Sequence, residues 1–218
     1  MAPTLAYWDI RGLAEPIRLL LVYTGTKFED KVYFTGPAPA YDKSSWLNVK
    51  FTLGLDLPNL PYYIDGDIKI TQSNAIIRHI GRINNMDGKT EAEKVRVDIM
   101  ENTLMDFRNG FIGLCYGDFD GGKAAYIKKL CDTMKQFNKF IGKNKWLAGN
   151  TLTFPDFILF ELLDQHLHLV PDLLKDHNNL SNFMDNFRQL EKIKAFMASP
   201  SYKKRPLNGA MAKFGGSL

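Results

Sequence analysis

The hydrophobic positions near the start of the chain change their period twice, and each change predicts a new element. Residues Thr4 to Trp8 form a short run that is typical of a strand, and residues 28–34 alternate as a half-buried strand does. Between them, Glu15 and Pro16 open an apolar helical run, because an acid and a proline both suit the first turn of a helix. Gly25 ends that run, so this part of the chain predicts a β-α-β unit.

A second predicted unit consists of two short strands and a helix. Tyr62 to Ile64 and Ile68 to Ile70 are the strands, and Asp65-Gly66-Asp67 between them is a strong hairpin signal. The apolar run from Ala75 to Ile80 predicts the helix, with Ser73 available as its N-cap. The β-α-β and β-β-α units together predict a thioredoxin-like layout, although the usual redox thiols are absent.

A proline turn lies just before this hairpin, and a helix start lies just after it. The X-Pro bond of Asn59-Leu60-Pro61 can be cis at modest cost, and a cis bond in a tight turn is a deliberate feature. Gln72-Ser73 stands where the unpaired N–H groups and partial positive charge of a helix end favour a carboxylate. An ordinary proline turn and an ordinary cap explain the same residues, so these residues alone leave both interpretations open.

The rest of the chain has the periodicity of helices. Thr90 precedes a long predicted helix with acids in its first turn, and Val95, Ile99 and Asp106 are predicted to share its inner face. Thr153-Phe154-Pro155-Asp156 is a capping pattern before a helix that is apolar on most sides and is predicted to be buried. Further helices are predicted over residues 124–141, 180–190 and 191–198, with a loop over 118–122.

The polar segment Asn84 to Lys89 carries a turn signal and predicts a domain boundary. The predicted fold is therefore an α/β thioredoxin-like domain in residues 1–83, a linker in residues 84–90, and an all-α domain in residues 91–218. The run Lys203-Lys204-Arg205 near the end is predicted to be a solvated stretch.

Composition excludes several classes of protein. The 218 residues are 45% hydrophobic, which is enough for a sizeable core, and the net charge of +4 is too scattered for a nucleic-acid footprint. The sequence from Met1 shows no signal-peptide pattern and no apolar run long enough for a membrane span, so a cytoplasmic protein is expected. Cys115 and Cys131 fit neither a disulfide framework nor a redox pair, and His166 and His168 face different sides of a helix, so no metal site is predicted.

Several short motifs occur in a specific order along the chain. They are Tyr7-Trp8, Trp46, Lys50, Asn59-Leu60-Pro61, Gln72-Ser73, Ile99-Met100-Glu101-Asn102 and Leu114-Cys115-Tyr116. Together they closely resemble cytosolic glutathione transferases, over the span from Tyr7 to about Tyr202. The loop from Gly36 to Asp42 resembles the characteristic insertion of the mu class.

The resemblance implies conjugation of reduced glutathione to hydrophobic electrophiles, with Tyr7 as the catalytic residue and with neither a metal nor a bound cofactor. A free thiol with a pKa of about 8.5 is mostly protonated at neutral pH, whereas the thiolate is the nucleophile. A hydrogen bond from the Tyr7 hydroxyl to a charged sulfur is worth roughly 1.5–3 kcal/mol. It would lower the thiol pKa by about one to two units, which makes the thiolate a large fraction at neutral pH.

The resemblance also implies which residues hold glutathione. Trp46, Lys50 and Lys43 would hold the glycyl carboxylate, and Lys43 stands where many relatives carry arginine, which can bind bidentately. Gln72 and Ser73 would hold the γ-glutamyl carboxylate. The whole predicted glutathione site consists of Tyr7, Trp8, Leu13, Lys43, Trp46, Lys50, Asn59, Leu60, Pro61, Gln72 and Ser73, with Asp106 from a partner subunit.

Two of these roles concern the backbone and the partner. Leu60, before a cis Pro61, would exchange backbone hydrogen bonds with the cysteinyl unit. Asp106 would reach the glutamyl amine across a subunit boundary, so the resemblance implies a homodimer. Leu57 stands where mu-class relatives usually place a phenylalanine that inserts into the partner subunit. Leucine is smaller, so a weaker contact between the subunits is expected at this position, with Phe51 compensating in part.

The electrophile site should be apolar, since it accepts hydrophobic substrates. The residues predicted for it are Tyr116, Met105 and Leu13, with the tail near Leu207 and Ala210. Tyr116 could donate a hydrogen bond to charge that develops in the transition state. Asn109 and Gly110 stand where relatives often carry larger residues, which leaves the substrate preference open.

Two other functions use the same fold. One is a module that binds hydrophobic compounds without turnover, and the other is a structural protein of the kind found among lens crystallins. The presence of Tyr7 together with Gln72-Ser73 and Trp46 favours the enzyme, because a structural descendant would be expected to lose some of these residues.

Overall fold

A four-stranded mixed sheet forms the first half of the molecule. The computed structural model describes residues 2–202 and 204–216. The strands are β1 (Thr4–Trp8), β2 (Glu29–Tyr33), β3 (Tyr62–Asp65) and β4 (Ile68–Thr71). They are ordered β2-β1-β3-β4, with β1 and β2 parallel and the other neighbours antiparallel. The parallel pair needs a crossover, which helix α1 (Glu15–Thr24) provides, whereas a tight turn at Gly66 joins β3 to β4.

Helices pack against this sheet and make up the second half. In the first half they are α1, α2 (Ser44–Leu47) and α3 (Ser73–Ile83). The later helices are α4 (Glu91–Tyr116), α5 (Phe119–Ile141), α6 (Phe154–Leu169), α7 (Asn178–Arg188) and α8 (Glu191–Met197). Helix α1 contacts α3, α6 and α8, so one apolar core joins the sheet to the later helices. The predicted fold class is confirmed.

The segment from Asn84 to Thr90 lies between α3 and α4. Its assignment as a linker between two domains stays a prediction. The outer ends of the predicted domains, Met1, Ser217 and Leu218, lie outside the described residues. Within the described part of the chain, no helix combines the length and the apolar character needed to cross a membrane.

Local capping explains where two of the long helices begin. The Glu93 carboxylate accepts a hydrogen bond from the Thr90 N–H at 3.2 Å, and the Thr90 hydroxyl accepts one from the Glu93 N–H at 3.2 Å. At the start of α6, the Asp156 carboxylate accepts a bond from the Thr153 N–H at 2.8 Å, as the capping pattern predicted. Asp156 also accepts a bond from the Leu147 N–H, so this cap fixes the preceding loop as well.

The start of α3 differs from the prediction. Ser73 is the first helical residue, and the cap is Gln72, which has φ +75° and makes no side-chain capping bond. Strand β4 ends at Thr71, so only one residue remains for the turn into the helix, and the left-handed backbone of Gln72 makes that turn. The predicted Ser73 N-cap is therefore wrong.

Helix α5 begins earlier than predicted. Residues 118–122 were expected to be a loop, but Asp118 accepts a hydrogen bond from the Gly121 N–H at 3.0 Å and caps a helix that starts at Phe119. The side-chain cap offsets the low helix propensity of the two glycines in the first turn. Phe119 is also held by stacking on Phe214, at 5.3 Å between ring centroids.

The inner face of α4 is not the predicted one. Val95 and Ile99 are 49% and 48% exposed, and Asp106 is exposed too. The buried face instead carries Val97, Met100, Leu104 and Phe111. The first half of α4 is apolar on two faces, so periodicity by itself does not decide which face meets the core.

The basic run near the end of the chain is also different. Lys203 lies outside the described residues, and Lys204 is exposed as expected. Arg205 is only 5% exposed and forms ion pairs with Asp9 and Asp30. The prediction of a solvated stretch is therefore wrong for Arg205, because carboxylates distant in sequence compensate its burial.

Candidate active site

A cavity of about 590 Å³ opens beside the carboxyl end of β1. Four stretches that are distant in sequence line it: the end of β1 with the loop after it, the end of β2 with the segment after it, the last part of α4, and the tail of the chain. Its lining residues are Tyr7, Trp8, Asp9, Ile10, Gly12, Tyr33, Phe34, Thr35, Lys43, Arg108, Ile112, Tyr116, Pro206, Asn208, Gly209, Ala210, Met211 and Gly216. Its volume falls in the range that small-molecule sites occupy.

Tyr7 is buried at the end of β1, and it lines this cavity. Burial raises the pKa of its phenol, while the positive charge of Arg108 and the Leu13 N–H lower it by smaller amounts. The net shift is upward, so the hydroxyl keeps its proton at neutral pH. The Leu13 N–H lies toward the phenolic oxygen, which leaves the Tyr7 proton available to another acceptor.

The loop after β1 passes very close to the Tyr7 ring. Gly12 has φ +44°, and a Cβ atom at this position would lie 2.7 Å from Tyr7 Cε1 and 3.0 Å from its oxygen. A side chain at position 12 would therefore displace the ring or the loop. The glycine is what allows the loop to pass this close to the phenol.

Arg108 lies in the same cavity, and the sequence analysis did not identify it. Burial lowers the pKa of its guanidinium, while Tyr7 and Tyr116 raise it by less. Among the described residues no carboxylate forms a salt bridge with it. On α4, residues four apart lie on the same face, and this face carries Arg108, Ile112 and Tyr116. The sequence signal for Arg108 is therefore its spacing of eight residues from Tyr116.

Tyr116 stands at the opposite side of the cavity and is 42% exposed. Its hydroxyl oxygen accepts a hydrogen bond from the Gly209 N–H at 2.6 Å. This bond joins α4 to the tail, and it leaves the hydroxyl proton free to be donated to a ligand.

The predicted site residues are distributed over more than one concavity. Tyr7, Trp8, Lys43 and Tyr116 line the large cavity. Leu13, Ser73 and Met105 line a narrow adjoining crevice, which shares Gly12 and Arg108 with the cavity. Met105, expected in the electrophile site, is thus next to the start of α3 rather than in the large cavity.

The three residues predicted to hold the glycyl carboxylate differ in their exposure. Trp46 is buried, with its ring 5.3 Å from Tyr33 and 6.0 Å from Tyr62, between centroids. Lys43 is exposed, and the Lys50 amine lies 5.2 Å from the centroid of the Phe51 ring.

The proline turn has the predicted cis bond between Leu60 and Pro61. The Leu60 N–H donates to the Asn59 side-chain oxygen at 2.9 Å. A ligand that used this N–H would therefore have to replace the Asn59 amide. Gln72 is exposed at the nearby start of α3.

Asp106 and Gly110 lie apart from Tyr7. Both line a second cleft of about 410 Å³ between α4 and α5, together with Phe107, Tyr126 and Lys129. Within one chain, Asp106 is not part of the Tyr7 cavity, and the small Gly110 enlarges this second cleft instead.

His166 on helix α6 is buried among aromatic side chains and lines neither the large cavity, nor the crevice, nor the second cleft. His166 lies 2.7 Å from the Tyr126 hydroxyl and stacks on Phe107, and burial lowers its pKa to about 4. Over residues 2–202 and 204–216, no group of three or more His, Cys, Asp or Glu side chains is arranged to hold a metal ion.

Comparison with protein families identifies the chain. Residues 3–82 match the family model described as "Glutathione S-transferase, N-terminal domain", and residues 105–200 match the one described as "Glutathione S-transferase, C-terminal domain". This chain belongs to the glutathione S-transferase family.

Curated relatives place this glutathione transferase close to the mu class. It is 53% identical to glutathione S-transferase Mu 3 of Homo sapiens, over 97% of this chain and 94% of that protein. It is 53% identical to Mu 5 of Mus musculus, over 97% and 95%, and 52% identical to glutathione S-transferase 2 of Gallus gallus, over 95% and 94%. The predicted resemblance and the predicted enzyme class are confirmed: the protein is a glutathione transferase with reduced glutathione as its co-substrate.

Solved structures agree with the fold of this transferase. The glutathione S-transferase Blo t 8 has a TM-score of 0.88 at 32% identity, covering 97% of this chain and 99% of that one. The pi-class glutathione S-transferase of Onchocerca volvulus has a TM-score of 0.86 at 30% identity, covering 97% and 100%.

Proposed function

We propose that this transferase conjugates glutathione to hydrophobic electrophiles by means of a thiolate that Tyr7 stabilises. The observation that carries the proposal is the buried Tyr7 hydroxyl at the end of β1, which lines the cavity and keeps its proton. A phenol in this state can donate one hydrogen bond into the cavity. That single bond, worth roughly 1.5–3 kcal/mol to a charged acceptor, is enough to shift a thiol pKa by one to two units.

The reaction needs no general base on the protein. When glutathione binds, its thiol loses a proton to solvent and the sulfur accepts the Tyr7 hydrogen bond. The thiolate then attacks an electrophilic carbon, a C–S bond forms, and a leaving group such as chloride departs with the bonding electrons. Tyr7 stays protonated throughout, which is consistent with the upward shift of its pKa.

Glutathione itself is proposed to lie along the first half of the chain. Lys43, Lys50 and the Trp46 indole N–H would hold its glycyl carboxylate, and Gln72 and Ser73 at the start of α3 would hold its γ-glutamyl carboxylate. The partial positive charge of a helix start supports the second assignment.

The central part of glutathione would be held by backbone groups. Leu60, Pro61 and Asn59 would contact the cysteinyl unit, with Trp8 and Leu13 beside it. The Leu60 N–H donates to the Asn59 side-chain oxygen at 2.9 Å. When glutathione binds, a carbonyl of its cysteinyl unit would replace that oxygen as the acceptor.

The electrophile would occupy the part of the cavity between α4 and the tail. Ile112 and Met211 give it an apolar surface, while the Tyr116 hydroxyl and the Arg108 guanidinium face it as hydrogen-bond donors. Attack on an activated aromatic ring delocalises negative charge onto its nitro oxygens, and fixed donors stabilise such charge in the transition state. Met105, at the adjoining crevice, would then contact glutathione more than the electrophile.

We also propose that the enzyme is a cytoplasmic homodimer in which the partner subunit's Asp106 completes each site. Four large apolar side chains, Phe51, Leu57, Val95 and Ile99, are about half or more exposed on a single chain, which supports a covered surface. Sedimentation of the purified enzyme tests this part: a fully active monomer would refute it.

The principal test is a titration of the bound thiol. Glutathione is added to the enzyme, and the thiolate is followed by its ultraviolet absorbance as the pH is raised, while turnover of a chloronitrobenzene is measured in parallel. A bound-thiol pKa about one to two units below that of free glutathione is expected. Retention on a glutathione column without turnover would instead favour a binding module, and the loss of both would favour a structural role.

A further inference from the structure

The last part of the chain builds a wall of the cavity without regular secondary structure. The tail is defined here as residues 205–216, and it contributes Pro206, Asn208, Gly209, Ala210, Met211 and Gly216 to the lining. No helix or strand in these residues fixes their positions. The tail must therefore be positioned by individual contacts with other elements.

One set of contacts holds the far side of the tail to the end of α4. The Gly209 N–H donates to the Tyr116 hydroxyl at 2.6 Å, and the Lys213 N–H donates to the Cys115 carbonyl at 2.7 Å. Phe214 stacks on Phe119 at the start of α5. These contacts fix the end of the tail but not the point at which it reaches the sheet.

Arg205 fixes that point. Its Nε donates to Asp9 Oδ1 at 2.9 Å, and its Nη2 donates to Asp30 Oδ2 at 2.5 Å. Asp9 lies in the loop after β1, and Asp30 lies on β2, so the two carboxylates hold one guanidinium from two elements. A planar guanidinium held by two acceptors has a defined direction as well as a defined place.

The tail continues from Arg205 directly onto the loop that supports Tyr7. The Arg11 N–H donates to the Pro206 carbonyl at 2.8 Å, and the Gly12 N–H donates to the Leu207 carbonyl at 3.1 Å. The loop has an anchor of its own, because the Arg11 side chain forms ion pairs with Glu161 and with Asp164 on α6. Loss of the Arg205 contacts would thus leave this end of the tail held only by the two backbone bonds, so the tail could shift while the loop stays in place.

We propose that Arg205 is a positioning residue for the electrophile, acting through the tail that its ion pairs with Asp9 and Asp30 hold against the cavity. Arg205 is not among the residues that line the cavity. Arg205 would set the distance between the tail and α4. That distance determines how well the electrophile fits in the cavity. This inference rests on the proposed function, since it assigns the tail side of the cavity to the electrophile.

The test is the variant Arg205→Met. Methionine keeps most of the length and apolar volume of the side chain, Asp30 retains its ion pair with Arg18 at 3.1 Å, and Asp9 is 38% exposed and can be hydrated. The variant is therefore expected to fold. The control is Lys204→Met, which removes the neighbouring positive charge at an exposed position.

The variant is expected to change the KM for the electrophile but not the KM for glutathione. The KM for a chloronitrobenzene should rise roughly tenfold, because a small displacement of a positioning wall has a large effect on reacting geometry. The KM for glutathione and the pKa of the bound thiol should stay near the wild-type values. Calorimetry without turnover should show weaker binding of S-hexylglutathione, whose alkyl group reaches the electrophile side, and unchanged binding of glutathione.

Other outcomes would overturn the proposal. Unchanged constants in Arg205→Met would mean that the tail does not need this anchor, and a parallel rise of both KM values with a lower Tm would mean that Arg205 is merely structural. If Arg205→Met does not fold, Arg205→Lys, which keeps one ion pair, must show the same difference between the two KM values at smaller size. A wild-type enzyme that binds glutathione but turns over no electrophile would refute the proposed function first, and this inference with it.

Discussion

The two sides of the cavity are built in different ways. On the side proposed to bind the thiol, called the thiol side, Tyr7 and the loop that carries Gly12 and Leu13 lie within a few residues of one another, are largely buried, and are fixed by backbone contacts. On the electrophile side, Tyr116 and Gly209 come from segments 93 residues apart and are joined by one hydrogen bond. The thiol side can therefore keep one chemistry, while the electrophile side can change its shape at little cost to the fold.

This contrast gives a criterion for every substitution. A change on the thiol side should affect all electrophiles to a similar degree, since each reaction uses the same thiolate. A change on the electrophile side should depend on which electrophile is tested.

The largest effect is expected for Tyr7→Phe. Loss of the donated hydrogen bond should lower kcat/KM at neutral pH by roughly 8- to 25-fold for every electrophile, because a rise of the thiol pKa by about one to two units to about 8.5 lowers the thiolate fraction by that factor. Binding of glutathione should be nearly unchanged. The bound-thiol pKa, read from thiolate absorbance, should return to about 8.5, so the deficit should shrink as the pH rises above that value.

A matched control for this variant is Tyr126→Phe. It also removes a phenolic hydroxyl with a hydrogen-bond partner, His166, but outside the Tyr7 cavity. Its activity should remain close to that of the wild type. A bound-thiol pKa that is the same in Tyr7→Phe and the wild type would contradict the role of Tyr7.

The next largest effect is expected for Gly12→Ala. The new methyl group would lie 2.7 Å from the Tyr7 ring, so the ring must move and kcat/KM should fall about tenfold for all electrophiles. Gly66→Ala is the control, because Gly66 also has a positive φ, of +57°, but has no atom within 4 Å of the added Cβ. Activity is compared per folded molecule. If Gly12→Ala and Gly66→Ala are then equally active, the contact between position 12 and Tyr7 does not affect catalysis.

A smaller and substrate-dependent effect is expected for Arg108→Met. Removal of the half-buried guanidinium should lower kcat about fivefold for a chloronitrobenzene, whose transition state places charge on nitro oxygens, and less for an electrophile without such charge. Arg82→Met, at an exposed position on α3, is the control. If kcat decreases equally for both electrophiles, Arg108 acts on the thiol side. The proposed difference between the two sides of the cavity would then be wrong for this residue.

The smallest effect is expected for Lys43→Arg. Lys43 is exposed, so its ion pair with a glutathione carboxylate is worth little, and a bidentate guanidinium should lower the KM for glutathione by only about twofold. The effect should be weaker at high salt concentration. A Lys43→Gln variant with an unchanged KM at low salt would exclude Lys43 from the site.

Sequence patterns were sufficient where the determining interactions are local. The hairpin around Gly66, the cap from Thr153 to Asp156 and the proline turn at Pro61 each depend on neighbours within a few residues, and each occurs as predicted. The element order and the resemblance of the motifs around Tyr7 then led to the family.

The errors arose where a distant partner decides the outcome. Periodicity could not tell which of two apolar faces of α4 meets the core, and nothing near Arg205 in sequence indicates the carboxylates of Asp9 and Asp30. Arg108 was missed because a lone arginine on a long helix looks solvated until the strand end with Tyr7 is placed beside it.

The sequence by itself therefore determined the order of strands and helices along the chain, the family, and the choice of Tyr7 as the proposed catalytic residue, because these depend on short-range pattern and on motif spacing. The tertiary structure alone decided the burial of Tyr7, which raises its pKa further, the presence of Arg108 and the tail around one cavity, and the burial of Arg205. The physical reason is that desolvation and charge compensation depend on which atoms are close in space, and chain order does not specify that closeness.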